Sequence, residues 1–222
     1  MSVIKAPLLP PKAKPADVQA IFTTFRNAEP EPKTELVYKT PFQLLVSVVL
    51  SAQATDKSVN LATKPLYEKI HTPAEMAALG EEKLLPYIRS VGLYKTKARN
   101  VIALSHLLLE KHGGEIPQTE AELTALPGVG RKTANVVRGA LFGHITLAVD
   151  THVYRVARRL GLSRAETPDK VEADLIKIIP QEFLRHAHHW LILHGRYTCI
   201  ARNPRCLTCP VEKWCHSPEK NL

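Results

Sequence analysis

A chain of 222 residues with 45% hydrophobic content carries enough apolar material for one core of ordinary size or two small lobes. Thirty Lys and Arg against twenty-one Asp and Glu leave a formal charge of +9, which suits a polyanionic partner such as nucleic acid. There is no apolar run long enough to span a bilayer and no charged-then-apolar leader, so the expectation is a soluble, intracellular protein that folds without disulfides.

The first sixteen residues, rich in Pro and Lys and without periodicity, read as a flexible tail. From Asp17 onward the apolar spacing predicts helices over 17–28, 41–52, 56–69, 73–79, 81–90, 95–112, 119–125, 131–142, 151–160, 168–178 and 181–197. Thr followed by Pro supplies a capping hydroxyl and a φ-restricted first helical residue at Thr40-Pro41, Thr72-Pro73 and Thr167-Pro168. The β-branched run Ile145 to Val149 has no second strand to pair with and is expected to be extended only. The predicted class is all-α.

Leu126 to Ala134 (Leu-Pro-Gly-Val-Gly-Arg-Lys-Thr-Ala) forms a Gly-rich turn between two helical patterns, with Gly128 and Gly130 free to adopt φ values that other residues avoid. Such a turn aims unpaired backbone amides of Gly128, Val129 and Gly130 at the positive end of the next helix, a phosphate site of the helix-hairpin-helix kind. Lys132 falls in the first turn of that helix. A cation there is poorly placed for stability, but a neutral amine there is well placed to attack carbon. Asp150 either caps the helix that starts near Thr151 or, if Thr151 caps instead, offers a free carboxylate. From Arg131 to Arg159 six basic side chains face one acid, a stretch expected to meet DNA, Arg155 included.

Cys199, Cys206, Cys209 and Cys215 fall within seventeen residues as C-x6-C-x2-C-x5-C, and no other cysteine occurs. Four clustered thiols in a reducing compartment read as a metal site, and spacing alone leaves tetrahedral zinc and a four-iron cluster both open. Arg202 and Arg205 lie in the loop between the first two ligands and are candidates for phosphate contact. His186, His188, His189 and His194 precede the cysteines without a carboxylate pattern, and ordinary core or surface histidines account for them.

Four stretches carry a resemblance to a known family: Leu50 to Asp56, Leu126 to Asn135, Ala148 to His152, and His189 to Cys199. With the final cysteines they resemble the endonuclease III family of helix-hairpin-helix iron-sulfur DNA glycosylases. The resemblance implies two helical lobes flanking a DNA-binding cleft. One is a six-helix barrel over 34–144, and the other is an iron-sulfur lobe built from 1–33 and 145–222. It implies that Lys132 is the nucleophile and Asp150 the catalytic aspartate, one from each lobe, and that the cysteines hold a [4Fe–4S] cluster. Gln53 is implied to fill the gap left by a flipped nucleotide, and Leu93 to wedge into the stack.

The implied activity is bifunctional: excision of oxidised pyrimidines from double-stranded DNA, and cleavage of abasic sites, by a bacterial, cytoplasmic, monomeric enzyme. Two departures from the family pattern stand out. His144 occupies a place where relatives often have an indole, and Asn203 one where they often have lysine. The alternatives are an adenine-mismatch glycosylase, which lacks a lysine at the position of Lys132, and a non-catalytic DNA-binding iron-sulfur protein, against which Lys132 and Asp150 together argue.

Overall fold

The structure, a computed structural model, describes residues 9–222, and among these no strand occurs. The part of the expected tail at 1–8 lies outside the described residues. Ten α-helices follow in order: α1 (Pro15–Ala28), α2 (Pro41–Ser51), α3 (Asp56–Tyr67), α4 (Pro73–Ile88), α5 (Tyr94–His112), α6 (Glu120–Thr124), α7 (Arg131–Phe142), α8 (Thr151–Arg159), α9 (Pro168–Ile178) and α10 (Gln181–Tyr197). Two 3-10 turns, Cys206–Thr208 and Glu212–Trp214, complete the cysteine segment. No helix among the described residues is long and apolar enough to cross a membrane.

The chain divides into two compact units, one spanning Thr34–His144 and the other made by the chain's two ends, up to Lys33 and from Ile145. The first unit contains α2 to α7 around α2, which is buried on all sides from Phe42 to Leu50. A helix that is apolar all round belongs at the centre of a core. It starts where Thr40 accepts from the Gln43 N–H and Pro41 occupies the first turn. Its buried polar residues are satisfied internally: Gln43 Nε2 donates to Ile70 O at 2.8 Å, and the Tyr67 hydroxyl donates to Gln43 O at 2.9 Å.

Thr72 makes a full capping box with Glu75 at the start of α4. The break predicted after residue 79 is Gly80, whose φ of 76° and ψ of 164° interrupt the helical path within α4. At α9 the Thr167 side chain makes no capping hydrogen bond, so only Pro168 acts there as predicted.

The second unit packs α1, α8, α9 and α10 around Phe22, Phe183, Trp190 and Val211. The expectation of a tail through residue 16 fails here. Pro10 and Ala13 are buried, Ala13 N donates to Gly161 O at 2.9 Å, and α1 already begins at Pro15. Gly161, at φ 71°, is required by this approach, because a β-carbon on it would lie 2.3 Å from Pro11 O. A Pro-rich segment has few amide donors and no periodicity, but its carbonyls still accept, and Arg164 takes Pro10 O at 2.6 Å.

Candidate functional site

In the first unit, the turn between α6 and α7 is closed by Val129 N donating to Leu126 O at 3.1 Å. Gly128 sits at φ 79°, and a β-carbon on it would lie 2.9 Å from Asn100 Nδ2 of α5, so two separate constraints demand glycine there. Gly130 is different. Its φ of −88° is open to any residue, which corrects the expectation of a second left-handed glycine. Its use is that it caps α7 without a side chain, leaving the first amides of the helix uncovered. Val129 is 5% exposed, its side chain belongs to the core, and its amide is spent in the turn. The backbone donors open to a phosphate are therefore those of Gly130 and the first turn of α7, flanked by exposed Gly128.

Lys132 is exposed in that first turn. The arginines of the same basic stretch are engaged within the protein. Arg131 and Arg138 pair with Glu120 at 3.6 and 3.5 Å. Arg158 donates to Arg164 O at 3.2 Å and to Ala165 O. Arg155 donates to Cys199 O at 3.0 Å and Gly195 O at 2.7 Å, so its guanidinium braces α10 and the cysteine segment. Arg159 donates to Ile200 O at 2.7 Å and pairs with Glu219 at 2.8 Å. Of the six basic side chains from Arg131 to Arg159, Lys132 alone makes no hydrogen bond or ion pair among the described residues.

In the second unit, Asp150 is the N-cap of α8, with Oδ1 accepting from His152 N at 2.9 Å and Val153 N at 2.8 Å. Thr151 does not take over the cap, yet both bonds fall on one oxygen and Oδ2 has no part in them. One oxygen of the carboxylate thereby holds the helix start, and the other takes no part in that cap.

Gln53 and Leu93 occupy two neighbouring turns of the first unit, and both are left-handed, at φ 55° and 59°. Side-chained residues pay of order 1 kcal/mol or more for this conformation. Gln53 is exposed and Leu93 is 63% exposed, so neither is held by burial of its own side chain. The third non-glycine left-handed residue among those described is Asn203 at φ 53°, in the loop that carries the exposed Arg202 and Arg205. Asn tolerates this conformation better than most. His144 is exposed just past the left-handed Gly143 that ends α7.

The four cysteines line one cavity together with His194, Leu160, Pro204 and Lys220, and none is in a disulfide. Burial pushes the Cys209 thiol up to about 11 and raises that of Cys215 as well, so positive charge brought into the cavity favours their thiolates. Among the described residues no three His, Cys, Asp or Glu donors gather as a single chelated ion requires. His194, read from sequence as an ordinary histidine, lies with Nε2 3.8 Å from Cys209 Sγ, and burial pushes its imidazole down to about 4. The available signal was its position one turn before Cys199 at the end of a helix.

Residues 46–181 match the family model of the HhH-GPD superfamily of base excision DNA repair proteins. Endonuclease III of Rickettsia felis is 55% identical over 198 residues, covering 89% of this chain and 93% of its own length. Endonuclease III of Escherichia coli K12 is 53% identical over 200 residues, covering 90% and 95%. A solved structure of endonuclease III trapped as a covalent intermediate with DNA superposes with a TM-score of 0.84 at 46% identity, covering 91% of this chain and 95% of that one. The chain belongs to the endonuclease III family within the HhH-GPD superfamily of base excision DNA repair proteins.

Proposed function

We propose that the protein is a bifunctional DNA glycosylase and abasic-site lyase of base excision repair, with Lys132 as its nucleophile. The observation that carries the reading is the state of Lys132: in a stretch whose arginines are all engaged within the protein, this one amine stands exposed and unpaired at an uncapped helix start. An amine not tied up in an ion pair is open to a sugar carbon that comes within reach. The Lys132 amine bonds to C1′ of the damaged nucleotide as the glycosidic bond breaks and the base leaves with the electron pair. The Schiff base that follows acidifies the C2′ proton, and β-elimination breaks the strand on the 3′ side.

Asp150 stabilises positive charge developing on the sugar and assists proton transfer, through the oxygen that the helix cap does not use. Gln53 and Leu93 enter the stack where the nucleotide has left it. Phosphates are held by the amides at the start of α7 beside Gly128 and by Arg202 and Arg205, while Arg155 serves the site by bracing the cysteine segment.

Cys199, Cys206, Cys209 and Cys215 hold a [4Fe–4S] cluster. Four thiols lining one cavity, with no other cysteine in the chain, fit the four thiolates that such a cluster takes. When bound, the cluster supplies the ligand bonds that staple the C-terminal segment and so fix the loop of Arg202 and Arg205. On this reading the protein acts as a monomer on DNA in the cytoplasm. Duplexes bearing a single thymine glycol test the assignment: release of the base with a β-elimination end is the expected result. Release of adenine from a mismatch without strand cleavage, or no reaction on any lesion, would overturn it.

A further inference from the structure

Lys97, in the first turn of α5, is 5% exposed and has no carboxylate partner. Its ammonium donates to Leu50 O at 2.9 Å and Ala52 O at 2.6 Å, two of the carbonyls left over at the end of α2. A cation at the negative end of a helix dipole is well placed electrostatically. The same residue's backbone N–H donates to Leu93 O at 3.0 Å. One residue therefore grips the carbonyl directly before Gln53 through its side chain and the carbonyl of Leu93 through its main chain. The two turns also touch, since a β-carbon on Gly92 would lie 3.7 Å from Gln53 O.

Two of the three strained non-glycine residues among those described thus flank a single buried lysine. Neither strained side chain is buried, so the conformations are imposed by what surrounds the turns. We infer that Lys97 is a positioning residue that locks the Gln53 and Leu93 turns into one rigid two-pronged wedge, on which nucleotide extrusion depends. The inference rests on the proposed role of those two side chains in the DNA stack. Lys97 itself touches no DNA. It keeps the two prongs from relaxing independently, so that opening the duplex does not first have to order them.

The test uses the whole protein and a duplex carrying a tetrahydrofuran abasic analogue beside 2-aminopurine, whose fluorescence rises on unstacking. Lys97→Met keeps the length of the side chain and removes its donors. The expected result is a much smaller fluorescence rise at saturating protein and about tenfold weaker binding to the analogue duplex, with binding to undamaged duplex nearly unchanged. Lys97→Arg, which retains donors and charge, is expected to recover a large part of the signal. Val101→Ala, a core truncation on the same helix, lowers stability without touching either turn and should leave the fluorescence rise intact.

If Lys97→Met does not fold, Lys97→Gln, which can keep one of the two bonds, is read the same way. Gln53→Ala and Leu93→Ala separate the two levels of the claim. If neither lowers the signal, the wedge reading fails and the inference falls with it. If they lower it while the Lys97 variants keep it, the positioning role alone is refuted.

Discussion

Replacing Asp150 separates the helix cap its carboxylate makes from the catalytic task proposed for it. Asp150→Ala removes the acceptor of two amide bonds, at 2.9 and 2.8 Å, and the negative charge at the start of α8. Losing an N-cap of this kind costs about 1 to 2 kcal/mol, and the charge at the dipole adds about 0.5 kcal/mol. Asp150→Asn keeps an amide oxygen in the position of Oδ1, so its stability loss should be limited to the charge contribution of about 0.5 kcal/mol.

For a chain of this length about 2 kcal/mol corresponds to a fall in Tm of roughly 4 to 8 °C for Asp150→Ala, against about 1 to 2 °C for Asp150→Asn. Catalysis should divide differently. Both variants lose the charge that supports the sugar cation, and single-turnover excision should slow by about a hundredfold or more in each. The assay pairs thermal denaturation with single-turnover kinetics on the same preparations. Wild-type rates in Asp150→Asn would reduce Asp150 to a helix cap, and equal destabilisation of the two variants would show that the cap bonds are not what holds the start of α8.

Cys206→Ala is expected to lower folded yield and iron content before it alters chemistry, because its thiolate is one of the four proposed to hold the cluster and staple the C-terminal segment; normal iron and yield would remove it from the ligand set. Arg202→Ala should instead fold normally and bind DNA more weakly, with the salt slope reduced by about one counterion, and an unchanged slope would take the residue off the phosphate backbone. Burial holds the His189 imidazole below the ordinary histidine value of 6.5, so below that pH the unfolded chain binds more protons and stability falls as pH drops. His189→Gln should make the fall in urea-unfolding free energy between about pH 7 and about pH 5 shallower; an identical fall in the variant would assign the pH dependence to other groups.

Local patterns were readable wherever the cause is local. The start of α2 follows from Thr40 and Pro41, and α7, α9 and α10 have the limits that apolar spacing and flanking glycine or proline imply. The same reasoning missed what depends on distant partners. Pro10 to Ala13 pack because Gly161 leaves room for them, and no periodicity in the segment reports that. The arginines of α8 read as a DNA-binding face because charge is visible in sequence, whereas the carbonyls of Gly195, Cys199 and Ile200 that absorb them are not. In the cysteine segment fully buried Val211 is the apolar staple while Leu207 is 81% exposed, a contrast that local sequence does not report. The role of Lys97 is not legible locally, because a lysine on an amphipathic helix reads as solvated until its two carbonyl partners come into view.

The central claim is that the amine of Lys132 forms the covalent intermediate. Borohydride reduction of the protein mixed with abasic-site DNA, followed by proteolysis and mass analysis of the peptide that carries the sugar, tests it most directly. The account predicts a stable cross-link on the wild-type protein that maps to Lys132, and none on Lys132→Ala although that variant still binds the DNA. A cross-link of undiminished yield on Lys132→Ala, or one that maps to another amine in the wild-type protein, would contradict it.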